Sequence, residues 1–291
     1  MTSPRTAKLR RFVVVAGIVG VCAVAHAVPE AQVAQQFYLT VLDRNGVPIH
    51  DLQPGDVTVT ENGVPGRVTH LVRPTAAADV FLLVDTSRYF VSATPHLRRA
   101  LLAFVDRLAG SARMSLMVFG GTPRTVVPPA MRTAEIREAI ALLFPSPGFN
   151  NNFNNALIEA RRKIIEESPR RPVIVAVTSS VASRQPSERY RRDFLNPLTQ
   201  IGTPIHIAAL RRRPGDLLGS LAEITARTGG RFATVANHTR LEEPLAAIAD
   251  EILAQFVLTY IRPELPPDTD SIGIGLSVAR EDVTVRVTPV L

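Results

Sequence analysis

Asp85 is the residue in this sequence whose position most demands a chemical explanation. It directly follows the apolar run Val80-Phe81-Leu82-Leu83-Val84, and a carboxylate ending such a strand must be hydrogen-bonded, paired or metal-bound to offset its desolvation. Ser87, Arg88 and Tyr89 come next. Three more polar groups stand at comparable places. Gly120-Gly121-Thr122 follows a second apolar run, an asparagine-rich stretch runs from Asn150 to Asn155, and Thr178-Ser179-Ser180 follows Val173 to Val177. Oxygen donors gathered from such loops suit either hydrogen-bonded loop capping or a hard divalent cation. Capping by Asp85 and an N-cap role for Asn155 are the plain readings.

These residues need strand ends to hold them, and the pattern from Asp79 supplies them. Continuous apolar strands, the mark of a sheet covered on both faces, are expected at 80–84, 114–119, 173–177 and 205–210, with a short strand at 231–235. Arg124 to Val127, bounded by Pro128-Pro129, is expected at an edge. Between them the 3.6-residue period predicts helices from about Pro95, at 133–143, 155–167 and 187–200, around Leu217 to Ile224, and from a Thr239/Glu242 capping box. Regular alternation predicts an α/β fold with a doubly wound, mostly parallel sheet, whose ligands bind at the carboxyl ends of its strands. Both chain ends read as β. Phe37 to Leu42 and Val57 to Thr60 are separated by turns at Asp43–Gly46 and Glu61–Gly63, and 257–260, 272–278 and 283–287 are strand-like. An isolated terminal hairpin would be marginal, so the two ends are expected to combine into a small β-sandwich-like domain.

Several of these segments together carry a resemblance. The strand-Asp85-x-Ser87 sequence resembles the start of the DxSxS motif of von Willebrand factor type A (VWA) domains. The helix ending in Thr228-Gly229-Gly230, and the last helix running into Gln255 to Tyr260, are similar to segments of the same family. Val41 to Gly46 and Leu52 to Gly63 resemble the β preamble of the acidobacterial-type VWFA-related proteins. Such domains hold Mg²⁺ in a metal-ion-dependent adhesion site built from three loops. Carried over, Asp85 and Ser87 match that pattern, while Tyr89 replaces its third residue, a serine. Asn155 falls where the second loop has threonine, and Ser179 where the third loop has aspartate. The site would then offer a cation one carboxylate instead of two, with Arg88 adjacent as a rival positive charge. Arg88 is expected to pair with Asp85. The expectation is a degenerate, ligand-binding face of Asp85, Ser87, Arg88, Tyr89, Asn155 and Ser179 without cofactor, weak Mg²⁺ binding at Asp85 and Ser87 remaining the alternative.

Bulk features narrow the class. Arg5, Lys8, Arg10 and Arg11, the apolar run from Phe12 and Ala25-His26-Ala27 together read as a signal peptide cleaved after Ala27, an uncleaved anchor being the alternative. The apolar run falls short of a membrane span. The expected order is signal peptide 1–27, N-terminal β domain 28–76, VWA-like domain 77–256 and C-terminal strands 257–291, in a periplasmic or secreted protein. The leader holds four basic and no acidic residues, so the net charge of +7 falls to +3 without it, weak support for nucleic-acid binding. Cys22, the only cysteine, lies in the leader, which excludes disulfides and a thiol nucleophile in the remainder. No P-loop, G-x-S-x-G, H-E-x-x-H or strand-linked G-x-G-x-x-G occurs. His206, inside an apolar strand, reads as a core histidine, and His96 and His238 as surface residues. The sequence thus points to a non-enzymatic module that binds a protein partner. The alternatives are an envelope-assembly scaffold with a vestigial site and a hydrolase or small-ligand binder using the same crevice.

Overall fold

The computed structural model describes residues 34–180, 192, 196–200, 202–211, 218–264 and 273–290. The leader, most of the helix expected near 187–200 and the turn at 266–268 lie outside these residues. Two six-stranded sheets organise the rest.

The antiparallel sheet combines both chain ends. It contains β1 (Ala34–Leu42), β2 (Val57–Glu61), β3 (Val64–Val72), β10 (Phe256–Ile261), β11 (Ile274–Val278) and β12 (Thr284–Pro289), in the order β11-β2-β3-β10-β1-β12. Asn62 and Gly63, at φ 50° and 84°, make the two-residue turn joining β2 to β3, the primed geometry that Asn-Gly favours. β3 pairs with β2 through residues 64–66 and with β10 through 67–72, the second ladder skipping Thr69 at a register shift between Thr259 and Tyr260. All six strands contribute to one apolar cluster around Leu39, Val59, Leu258 and Tyr260.

The second sheet is α/β. Its strands are β4 (Ala78–Val84), β5 (Ala112–Val118), β6 (Arg124–Ala130), β7 (Pro172–Ser179), β8 (Ile205–Leu210) and β9 (Phe232–Val235), in the order β6-β5-β4-β7-β8-β9. All neighbours are parallel except β6, antiparallel at the edge. The continuous apolar run of β4 is explained by the two cores on which it alternates. Val80, Leu82 and Val84 face one; Phe81 and Leu83 face the other. Helices α1 (Thr94–Leu108), α2 (Ala134–Ala141) and α6 (Glu242–Ala254) cover the first face. Helices α3 (Phe153–Glu167) and α5 (Gly219–Thr228) cover the second, and α4 (Asn196–Thr199) is a single turn beside α3. On α1, Leu97, Leu101, Phe104, Val105 and Leu108 are fully buried, each contributing about 1.5–3 kcal/mol of transfer free energy.

Two helix starts differ from the sequence expectation. The 3-10 turn His238–Arg240 is capped by Asn237, whose side chain accepts the Thr239 N–H, and α6 begins only at Glu242. Thr239 therefore forms no capping box, because the nearer asparagine has already taken that donor. Helix α3 begins at Phe153, not Asn155, since Phe153 is the first member of its buried stripe with Ala156, Leu157, Ala160 and Ile164.

The two sheets are joined by buried polar contacts. Glu251 of α6 ion-pairs with Arg231 and with Arg286 of β12. Arg231 also donates to the Gly46 carbonyl, and Arg286 Nη1 donates to that of Gly230. Gly229, at φ 76°, ends α5 where an added Cβ would lie 2.3 Å from the Val287 carbonyl oxygen. His206 Nδ1 accepts the Arg231 N–H, so this buried histidine has a partner within the fold. Burial, with Arg286 and Arg231 adding to it, pushes its pKa down to about 3.

Candidate functional site at the sheet switch point

From β4 the chain runs outward to β5 and β6, then returns to place β7 on the other side of β4. Strand order reverses between β4 and β7, and the crevice beyond their carboxyl ends is where open α/β sheets bind ligands. Asp85 directly follows β4, and Ser179 ends β7. The backbone N–H of Asp85 donates to the Val177 carbonyl, bringing the two loops together.

Asp85 is fully buried, and its carboxylate is satisfied from three sides. Oδ1 accepts the Ser87 N–H at 2.8 Å. Oδ2 accepts the Ser179 N–H at 3.0 Å and the Asn151 amide at 2.6 Å. Burial raises its pKa, while bonds from Ser87 and Ser179 work against that shift.

Asn151 is the organising side chain. Its Oδ1 accepts the Phe153 N–H at 2.9 Å, at the first residue of α3. That bond turns Nδ2 towards the strand ends, where it lies within 2.6 Å of Asp85 Oδ2, 2.9 Å of Thr178 Oγ1 and 3.1 Å of Ser179 Oγ. An amide nitrogen thus sits at the centre of a cluster of oxygen acceptors. The loop around it is held at several points. Asn152 donates to the Gly121 carbonyl at 2.7 Å, and Asn151 pairs with Gly120 in an isolated bridge. Gly120 N–H donates to Thr86 Oγ1 at 3.1 Å. A Cβ on Gly120 would stand 2.3 Å from the Thr86 carbonyl carbon, so only glycine permits this approach.

The structure brings Asp85, Ser87 and Ser179 together and leaves the other expected residues outside. Asn155 is exposed, the third residue of α3, and Asn151 stands at the carboxylate in its stead. Arg88 does not pair with Asp85. It is exposed and donates to Asn150 Oδ1, with its guanidinium 5.4 Å from the Tyr89 ring centre. Asp85 is enclosed by its own loop, beyond the reach of that side chain. Tyr89 is half-buried and packs on the apolar cluster beneath α1. Sequence reasoning placed Asn151, Thr178 and Gly120 in the polar loops around the site but assigned none of them, nor Thr86, a part in it. The phase of the α3 stripe carries the signal for Asn151, since it ends the loop at Asn152.

For a divalent cation, the donors among the described residues are one carboxylate, already accepting three N–H groups, and the hydroxyls of Ser87, Thr178 and Ser179. The Ser87 hydroxyl is buried and close enough to Asp85 to oppose the rise in that carboxyl's pKa. Among the described residues, no second carboxylate contacts Asp85. These residues fit a hydrogen-bonded cap better than an octahedral Mg²⁺ shell.

Beside the site, a cleft of about 450 Å³ opens between β6, α2 and residues 144–149, lined in part by Thr86, Gly120, Arg124, Glu135 and Phe149. Its rim is apolar. Phe144 is 74% exposed and Leu142 65%.

An open α/β sheet with its polar cluster at the switch point defines a binding fold of the doubly wound class. Within that class, the von Willebrand factor type A domain family matches residues 80–181, from β4 through β7. The chain therefore carries a VWA domain, and VWA domains are in general protein-interaction modules. Among solved structures, proximal thread matrix protein 1 from the mussel byssus is similar at a TM-score of 0.50 and 14% identity. The match covers 62% of this chain and 49% of that one, about half its length. The D319A mutant of the PilB minor pilin from Streptococcus sanguinis is similar at 0.50 and 11% identity, with 63% of each chain covered. An aerotolerance-related membrane protein from Bacteroides fragilis is similar at 0.48 and 16%, with 60% of this chain and 98% of that one covered. At these identities the likeness concerns the fold alone. No curated protein matches the sequence significantly. Among the described residues, no helix is long and apolar enough to cross a membrane.

Proposed function

We propose that this chain is an exported, non-enzymatic VWA module that holds a protein partner on its switch-point face without a metal ion. One observation carries the metal-independent part: the Asn151 amide lies 2.6 Å from Asp85 Oδ2 and within reach of two further hydroxyl oxygens. It supplies from within the chain the positive hydrogens that a buried carboxylate requires. Export rests on the basic-apolar-Ala25-His26-Ala27 leader, with cleavage after Ala27. The exposed Phe144 and Leu142 and the half-exposed Phe149 beside Arg88 give the face the mixture of apolar anchors and an arginine that protein interfaces favour. A non-enzymatic role is supported by His206, the one buried histidine among the described residues. It lies near the start of β8, level in register with Leu82 inside the sheet, and its Nδ1 is taken by the Arg231 N–H.

Affinity capture from envelope extracts tests this, using the wild-type chain and an Arg88→Glu, Phe144→Ser variant, each with Mg²⁺ and with EDTA. The same partner should be captured in both media and lost with the variant. Capture only with Mg²⁺ would overturn metal independence. Capture unaffected by the variant would overturn the face assignment in favour of a scaffold whose crevice is vestigial. Turnover in a panel of ester and phosphoester substrates would overturn the non-enzymatic reading.

A further inference from the structure

The sheets end in four edges, and three of them are protected against further pairing. β6 carries Pro128 and Pro129, β12 carries Arg286 and ends in Pro289, and β9 has only four residues. Short strands, prolines and charges are how proteins blunt an edge. β11, only one residue longer than β9, has neither charge nor proline. Its sequence is Ile274-Gly275-Leu276-Ser277-Val278.

Its outward-facing backbone groups follow from the pairing with β2. Asn62 N–H donates to the Gly273 carbonyl, and Ala279 N–H to the Asp56 carbonyl. In an antiparallel ladder the bonding residues alternate, so 273, 275, 277 and 279 point towards β2. Ile274, Leu276 and Val278 therefore direct their N–H and C=O groups away from it. The Val278 carbonyl is taken by the Arg280 N–H. Among the described residues, no strand pairs with the outward-facing groups of β11. On the side-chain level, Leu276 and Val278 are half-buried against the antiparallel-sheet core, and Ile274 is left 45% exposed.

We infer that β11 is a self-pairing edge, through which two copies of this chain associate antiparallel about a two-fold axis at Leu276. The pentapeptide is complementary to itself in that arrangement. Leu276 meets Leu276 of the second copy, Ile274 meets Val278, and Gly275 meets Ser277, so apolar residues share one face and small ones the other. The backbone agrees with it. Leu276 N–H and C=O would bond reciprocally, and each Val278 N–H would reach the other copy's Ile274 carbonyl, leaving the occupied Val278 carbonyl out of the ladder. The absence of charge on the strand removes the like-charge repulsion that usually prevents self-association at an edge. A two-fold contact of this kind uses the same patch on both copies and closes at the dimer. The paired strands are short, so a weak dimer is expected.

The test uses the full chain with Cys22→Ser as background, adding Leu276→Cys or Ser277→Cys under mild oxidation. Across the two-fold axis the two Leu276 Cα atoms would stand about 5.5 Å apart, within disulfide reach, but those of Ser277 about 8 Å apart, beyond it. Leu276→Cys should form a covalent dimer and Ser277→Cys should not. In sedimentation velocity the unmodified chain should approach twice its monomer mass with rising concentration, while Ile274→Lys should remain a monomer. Equal cross-linking of both cysteine variants, a single-chain mass at every concentration, or undiminished dimerisation of Ile274→Lys would each overturn the inference.

Discussion

Replacing Asn151 with alanine isolates the contact on which the site is built. The substitution removes the 2.6 Å bond to Asp85 Oδ2, the bonds to Thr178 and Ser179, and the acceptor for the Phe153 N–H. Asp85 keeps its two backbone donors, from Ser87 and Ser179. A hydrogen bond to a charged group contributes roughly 1.5–3 kcal/mol, and an unpaired helix-start N–H about 1 kcal/mol more. Asn151 is only half-buried, so water entering the gap recovers part of this. We expect a net loss of about 2–3 kcal/mol, or roughly 5–10 °C in Tm for a chain of this size. The loss should depend on pH in a stated direction. Burial raises the Asp85 pKa, so its charged form costs stability that is absent below the pKa of the unfolded carboxyl and complete above that of the folded one. Without the Asn151 donor that cost grows, and the deficit should be larger at pH 7 than at pH 4. Urea unfolding of wild type and variant at both values measures it. A deficit under about 0.5 kcal/mol, or one equal at the two pH values, would refute the account of Asp85.

Other expectations concern the buried groups joining the two sheets. His206, with its pKa near 3 when folded, binds no proton where the unfolded chain takes one up, so stability is complete above about pH 6.5 and falls below it. Between pH 7 and pH 5 the loss from this group is about 2 kcal/mol, and His206→Leu should flatten that slope in urea titrations while lowering stability at pH 7, because Arg231 N–H loses its acceptor. Glu251→Gln leaves Arg231 and Arg286 facing each other without their shared carboxylate. That change should cost about 3 kcal/mol in chemical denaturation, and a loss near zero would show that the ion pairs contribute nothing to joining the sheets.

The central strands β4, β7 and β8 of the α/β half were legible because each buries both faces. Val80 to Val84 and Val173 to Val177 leave no polar alternation that could suggest a different element. Asp85 was legible for the same reason, as the first charge after such a run. The asparagine loop was not. Five of its six residues from Asn150 to Asn155 have the same side chain, so composition could not say which meets Asp85. That choice depends on the phase of α3, which Phe153 sets by filling the core beside Phe119. Arg88 was misplaced because sequence proximity to Asp85 says nothing of direction. The strand end encloses the carboxylate, and the next turn, Arg88–Ala93, leaves the guanidinium in solvent against Asn150. Asn237 displaced the Thr239 capping box for a comparable reason, as two neighbouring side chains competed for one helix start.

The claim that most needs testing is that Asn151 does for Asp85 what a divalent cation would otherwise do. Isothermal titration of Mg²⁺ and Mn²⁺ into the chain at neutral pH, alongside the Asn151→Asp variant, addresses it directly. The account expects no stoichiometric binding heat for the wild-type chain. It expects binding to appear in the variant, where two adjacent carboxylates repel each other unless a cation lies between them. One-to-one binding of either ion to the wild-type chain, abolished by Asp85→Ala, would contradict it.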